Sequence, residues 1–226
     1  MESSIKYLSW DSEFFGLKIG RVDVFSIQEL DQLRTRGYDL VYVFAKKQFD
    51  VANSSNILLI DKKVVFNKKI SGIWNENNNN IVSVNRANNS IVDLALLSGN
   101  FSRFKLDNRL SHKFKEMYKI WLQRSLKREI ASEVLVYENE GVALGFVTIN
   151  RNSSIATIGL IAVNEMHQGK KIGSALMRAV ENWCIKCNVS EIDVTTQLDN
   201  KQACYFYERN GYSIKQIDYI YHYYIN

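Results

Sequence analysis

The sequence contains no proline at all, so its turns must be built from Gly, Asn, Asp and Ser. That absence is a compositional habit and carries no mechanism. Cysteine is nearly absent: Cys184, Cys187 and Cys204 are an odd number and supply no disulfide framework. Cys184 and Cys187 have CxxC spacing, but no second pair or histidine couple accompanies them, so no metal is expected. Nothing approaches the run of about 18 apolar residues that spans a bilayer. The start, MESSIKYLSWDSEFFG, lacks the basic-then-apolar layout of a secretory signal, and a cytoplasmic location is expected. The net charge is +5, yet no dense basic stretch alternates with aromatics. A small anionic ligand is therefore expected rather than nucleic acid.

What is present is a chain of 226 residues, 46% hydrophobic and 23% charged, enough for one ordinary domain or two small ones with a real core. The clearest seam is SGIWNENNNNIVSVN, residues 71–85, whose asparagine run cannot bury apolar surface. It predicts a small N-terminal α/β domain over 1–70, a linker over 71–85 and a larger domain over 86–226. Before the seam, KIGRVDVF, DLVYVFA and ILLIDKKVVF read as strands, and IQELDQLRTRG as a short helix. After it, a helix capped at Asn89 or Ser90 carries Val92, Ala95 and Leu96, and a second spaces Phe114, Tyr118, Trp121, Leu122 and Leu126. EVLVYEN and ALGFVTIN form a hairpin through Glu140-Gly141, and SIATIGLIAV is a central strand. From Ile172 to Cys187 the apolar residues follow i, i+3, i+4, i+7 spacing, placing Cys184 and Cys187 on the buried side of a helix. EIDVTTQ, the helix NKQACYFYERNG and a terminal strand or hairpin complete an α/β (α+β) sheet with helices on both sides.

AVNEMHQGKKIGSALM, Ala162 to Met177, feeds a strand into that long helix through a basic, glycine-containing turn. Free N–H groups at the positive end of a helix attract phosphate oxygens. Gly169 and Gly173 allow close approach of the main chain, and Lys170 and Lys171 add charge. By itself, such a turn serves equally well as a tight structural connection.

Two ordered motifs decide between these readings. Gln168, Lys171 and Gly173 stand at the positions of Q/R-x-x-G-x-G/A, with lysine in the middle place. Asn200, Ala203, Tyr207, Gly211 and Tyr212 stand at those of N-x-x-A-x-x-x-Y-x-x-x-G-[FY]. Together with the order of elements, they resemble the GCN5-related N-acetyltransferase (GNAT) superfamily. LSWDSEFFGLKIGRVDV and GNFSRFKLD are further similar to the TDP-fucosamine acetyltransferase group, which N-acetylates a TDP-4-amino-4,6-dideoxy sugar.

The resemblance implies a GNAT fold with a mixed, mostly antiparallel sheet, acetyl-CoA as acyl donor, no metal and a dTDP-linked amino sugar as acceptor. It implies that the strand ending at Val163 splays from Ile192–Gln197, and that pantetheine lies in the slot against Ile161, Ala162 and Val163. Gln168, Gly169, Lys170, Lys171, Ile172, Gly173 and Ser174 would hold the pyrophosphate, with Asn200 completing the cofactor site. Tyr207 matches the tyrosine that protonates the departing thiolate; the plainer alternative is packing against Ala203. Ser102, Arg103 and Phe104 match the segment that meets the sugar nucleotide, while Phe104 serves equally as a core anchor. Trp10, Phe14 and Phe15 either shape the cleft or pack between domains. No glutamate stands on SIATIGL, so an ordered water is expected as base, with His222 and Asp93 in reserve. The alternation IDYIYHYYI stabilises a sheet and also suits a subunit contact in a homodimer. A GNAT enzyme for another small amine, such as a polyamine, peptide or aminoglycoside, and a non-catalytic acyl-CoA binding module are the alternatives.

Overall fold

Runs of β-branched and aromatic residues become strands, and 3.6-periodic runs become helices, largely where the sequence places them. The computed structural model describes residues 5–24, 26, 28–31, 37–51, 55–70 and 78–225. In chain order these form β1 (Lys6–Tyr7), α1 (Ser9–Phe15), β2 (Ile19–Val24), α2 (Gln28–Asp31), β3 (Leu40–Ala45) and β4 (Ile57–Lys69). Next come β5 (Ile81–Ser83), α3 (Asn89–Ser98), α4 (Arg103–Leu106), α5 (Phe114–Leu126), β6 (Glu133–Asn139), β7 (Val142–Asn152) and β8 (Ile155–Val163). The chain ends with α6 (Ile172–Lys186), β9 (Glu191–Gln197), α7 (Lys201–Arg209) and β10 (Ser213–Tyr224). Of the helix expected over 27–37, Gln28–Asp31 is formed and 32–36 lie outside the described residues. Of the Asn-rich segment, 71–77 lie outside them, whereas Ile81–Ser83 pairs with β6 as an edge strand.

The ten strands make one sheet in the order β1-β2-β3-β10-β4-β9-β8-β7-β6-β5. Only β2 with β3 and β8 with β9 run parallel. The β6–β7 turn places Glu140 at φ 51° and Gly141 at φ 76°, the two left-handed residues that a tight hairpin twisted like its strands requires. β4 is inserted between β10 and β9, so strands from 1–70 and from 86–226 share a single ladder. β10 is one long strand flanked on both edges, by β3 and β4. Its Tyr221 and Tyr223 are buried on one face, and Ile220 and Tyr224 on the other. The aromatic alternation is thus consumed within the chain and calls for no second copy.

Apolar side chains fill both faces. On one, α3 and α5 press Leu94, Met117 and Leu122 onto Val134, Phe146 and Leu160. On the other, α6 presses Leu176, Met177, Val180 and Cys184 onto Val147, Ile158 and Val194. Val64 and Phe66 of β4 belong to that second cluster, beside Tyr207 and Tyr212. Phe66→Ala should therefore lower the unfolding free energy by about 3–5 kcal/mol in a single urea transition. Two separated transitions would show that residues 1–70 unfold apart from the rest.

Candidate active site

The sheet opens where β8 leaves β9. Pairing runs from Ile155↔Glu191 to Ile158↔Val194 and stops, although β8 continues to Val163 and β9 to Gln197. The cause lies on the other edge of β8. Between Val147↔Ile161 and Ile149↔Ile158, the single residue Thr148 opposes both Gly159 and Leu160. This bulge is pinned by the Leu160 N–H, which donates to Thr148 Oγ1 at 2.8 Å. A Cβ on Gly159 would come within 2.9 Å of that same oxygen. Bulges bend and over-twist a strand. Here the bend carries Ile161–Val163 away from β9.

β8 then runs through a 3₁₀ turn, Glu165–His167, into α6. Gly169 has φ 76° and Lys171 φ 63°, and the helix starts on Lys171 with no side-chain cap. The first-turn N–H groups of α6 are thereby left for another acceptor. A Cβ on Gly169 would meet nothing within 4 Å, whereas one on Gly173 would touch the Phe206 ring at 3.0 Å. Glycine at 173 thus leaves room for the Phe206 ring, which would have to give by a few tenths of an ångström before any larger side chain. Gln168 braces the turn, donating to the Val163 carbonyl at 3.3 Å and accepting from Gln202 at 2.8 Å. Asn200 caps α7 through a bond from the Ala203 N–H.

A cavity of about 650 Å³ lies along this turn. Ile161, Ala162, Val163, Gln168, Gly169, Lys171, Ile172, Gly173, Ser174, Asn200 and Tyr207 all line it. Lys170 is exposed and is not among the lining residues. Phe101 from the α3–α4 connection, and Gln202, Tyr205 and Phe206 from α7, are among the further wall residues and were not assigned to the site from the sequence. Tyr207 is 3% exposed and packs against Phe66, Phe206 and Tyr212. Burial raises its hydroxyl well above the ordinary range, so it stays protonated and can donate.

The parted strands and uncapped helix agree with the comparisons to known proteins. Residues 101–212 match the model of the acetyltransferase (GNAT) family. These residues are a GNAT acetyltransferase domain. Solved structures with the same fold include a GCN5-related N-acetyltransferase from Sphaerobacter thermophilus, with TM-score 0.59, 13% identity, and coverage of 99% of this chain and 76% of that one. A conserved protein from Staphylococcus epidermidis gives TM-score 0.64 at 10% identity, covering 100% and 92%. The PaiA N-acetyltransferase of Thermoplasma acidophilum, solved with coenzyme A, gives 0.51 at 17%, covering 64% and 98%. No curated protein matches the sequence. GNAT acetyltransferases use acetyl-CoA, and the unsatisfied α6 terminus beside an open Gly169 fits a phosphorylated ligand. Among the described residues, no group of three potential ligands could hold a metal ion, and no helix is long and apolar enough to cross a membrane.

The residues expected to meet the acceptor lie on the α3/α5 side of the GNAT sheet. Ser102 is buried and caps α4 by accepting from the Phe104 N–H. Phe104 is a core anchor, packed on Phe15, Tyr42 and Trp121. Trp10 stacks on Phe14, and both pack on the same cluster. The Arg103 guanidinium lies over the rings of Tyr42 at 4.2 Å and Phe104 at 4.5 Å. Beside it is Asp61 of β4, 6% exposed, whose carboxyl is raised to about 6 by burial, against the pull of Arg103, Gln197 and Lys63. No motif pointed to Asp61; the one signal was a lone carboxylate inside the aliphatic run ILLIDKKVVF.

Asp93 is exposed on α3, away from any such arrangement. His222 is fully buried, with Nδ1 on Asp107 Oδ2, which also accepts from Tyr224 Oη at 2.6 Å. Burial is the largest influence on His222 and lowers its pKa to about 4, despite the Asp107 carboxylate. The imidazole is therefore neutral, and with Nδ1–H donating to the carboxylate, Nε2 carries the lone pair.

A histidine lowered in the fold favours unfolding as pH falls from its unfolded pKa of about 6.5 toward 4, by on the order of 3 kcal/mol. Asp61, raised in the fold, acts in the opposite sense over much of that window. The His222 contribution is isolated by difference. The stability advantage of the parent over His222→Gln should shrink by about that amount between pH 7 and pH 4 in urea titrations. An advantage independent of pH would show that His222 is not held neutral.

Proposed function

We propose that this chain transfers the acetyl group of acetyl-CoA to the amine of a nucleotide-linked 4-amino-4,6-dideoxyhexose, a dTDP-amino sugar. The observation that carries the acyl-transfer half is the slot where β8 parts from β9, continuous with the uncapped start of α6. In this reading, pantetheine lies along Ile161–Val163 as a further strand. The N–H groups from Gln168 to Ser174 take the pyrophosphate, with the Lys171 charge adding to the helix dipole. A main-chain donor near Ile161 polarises the carbonyl as negative charge develops on its oxygen.

Both substrates meet in one cleft, so attack is effectively intramolecular. The amine lone pair forms the C–N bond as the C–S bond breaks, and the departing sulfur takes the proton of Tyr207. Burial keeps that hydroxyl protonated at neutral pH, as a general acid must be. The amino-sugar half rests on the resemblance carried by LSWDSEFFG and GNFSRFKLD and on the basic, ring-stacked Arg103. In this reading the enzyme works in the cytoplasm and receives its acceptor from a nucleotide-sugar aminotransferase.

Tyr207→Phe should reduce kcat by about 100-fold or more, with acetyl-CoA affinity unchanged by calorimetry. Equal activity would remove Tyr207 from the mechanism, and loss of CoA binding would make it structural. Lys171→Gly relieves a left-handed lysine worth about 1 kcal/mol and removes one charge from the phosphate site. The variant should melt slightly higher and bind coenzyme A about fivefold more weakly at low salt, the difference fading as salt rises. Thiol release with dTDP-4-amino-4,6-dideoxygalactose, spermidine and a lysine peptide identifies the acceptor. Release stimulated by spermidine or the peptide alone would replace the sugar reading.

A further inference from the structure

Buried polar atoms without a partner are costly, and natural folds hold few of them. Among the described residues, five side-chain atoms are buried with no hydrogen-bond partner. Four of them fall in one place: Tyr42 Oη, Asp61 Oδ1, Arg103 Nη1 and His222 Nε2. Tyr42 links the group, its ring 4.8 Å from His222 and 4.2 Å from the Arg103 guanidinium. Its hydroxyl faces Asp11 without closing a hydrogen bond. Asp61 and Arg103 influence each other electrostatically, yet Asp61 Oδ1 and Arg103 Nη1 each lack a hydrogen-bond partner. Two charged groups of opposite sign are thus held close, in a low-dielectric site, each with an unused hydrogen-bonding atom.

The cluster's place in the sheet gives it a purpose. Lys63 of β4 pairs with Gln197, the last residue of β9, and the Gln197 side chain lies beside Asp61. Gln197 ends the stretch of β9 that β8 has abandoned. Tyr42 of the cluster and Phe104, whose ring lies under the Arg103 guanidinium, belong to the core on the α3/α5 face, whereas Tyr207 packs in the core beneath α6. Tyr207 thus lines the cavity from one face of the sheet, and Asp61, with Oδ1 unpaired, lies on the other face beside the end of β9.

We infer that this cluster is the acceptor-amine subsite and that Asp61 is the base that takes the proton of the incoming ammonium group. The inference rests on the acyl-transfer reading above but not on the sugar. A primary ammonium supplies the donor that Asp61 Oδ1 and His222 Nε2 lack, and an adjacent hydroxyl or oxyanion supplies the acceptor that Arg103 lacks. The protons balance. R–NH3+ gives one proton to the Asp61 carboxylate and attacks as R–NH2. Tyr207 protonates the leaving sulfur and recovers a proton from the acylated nitrogen. Asp61 then releases its proton to solvent, so each turnover yields the amide, free CoA thiol and one proton. Asp61 is faced by Arg103 of α4, Lys63 of its own strand, Gln197 of β9 and Asp199 beyond it. Burial outweighs the positive charges and leaves the carboxyl a better proton acceptor than an ordinary aspartate.

The test has three readouts. Crystals grown with desulfo-CoA are soaked separately in dTDP-4-amino-4,6-dideoxygalactose, spermidine and a lysine peptide. An amine nitrogen within hydrogen-bonding distance of Asp61 in any soak supports the subsite. Nitrogens bound elsewhere, or only ordered water in the cluster in all three, overturn it. Second, Asp61→Asn with any accepted amine should lose about 100-fold or more in kcat. It should also lose the acid limb near pH 6 while binding acetyl-CoA as the parent does. Unchanged turnover or an unchanged limb overturns the base role. Third, a carboxyl raised by burial disfavours the fold when ionised, so Asp61→Asn should melt above the parent at pH 7.5, with the gap closing toward pH 4. A variant that melts lower at both pH values would mark Asp61 as structural. If only spermidine or the peptide reaches Asp61, the subsite stands and the sugar assignment falls.

Discussion

The structure depends on the parting of two parallel strands. A ladder that continued past Ile158 and Val194 would fill the centre of the sheet with backbone hydrogen bonds and leave no slot. The Gly159–Leu160 bulge prevents that, because Thr148 takes the Leu160 N–H with its hydroxyl and turns β8 aside. Backbone groups beyond the bulge are then free to pair with a ligand instead of with β9, and the same bend aims the chain into the Gly169 turn and the start of α6. One side-chain hydrogen bond thus governs both the slot and the uncapped helix terminus at its end.

The N-terminal strands are joined to that machinery covalently and through the ladder. β4 lies between β10 and β9, and its two faces serve different ends. Val64 and Phe66 support Tyr207 beneath α6, while Asp61 and Lys63 face the α3–α5 side with Arg103 and Tyr42. Period-2 alternation on a single strand therefore connects the apolar bed of the proposed acid with the proposed base. The site is correspondingly polarised: burial keeps the Tyr207 hydroxyl protonated, while it leaves Asp61 ready to take up a proton near neutrality.

Local chemistry made much of this legible. The α6 periodicity and the Glu140-Gly141 hairpin both depend on residues a few positions apart, and both appear in the structure. The cofactor motif is similarly local, and most of its residues line one cavity because a turn and a helix start keep them adjacent. Lys170 falls outside that wall and is exposed, although its neighbours Gly169 and Lys171 line it. Ser102 and Phe104 have local roles too, a cap and a core anchor, which a motif match does not distinguish from ligand contacts.

The sequence by itself determined the elements, the hairpin, the glycine-containing turn before α6 and the position of Tyr207, since each follows from dihedral preference or periodicity over a short span. Only the tertiary structure decided that β4 would separate β9 from β10, that the tyrosines of β10 would be used up internally, and that Asp61, Tyr42, Arg103 and His222 would meet. These groups come from four separate stretches of chain, and their meeting depends on strand order and register. Pairwise hydrogen bonding between distant strands sets that register, and neither propensity nor spacing within any one segment encodes it.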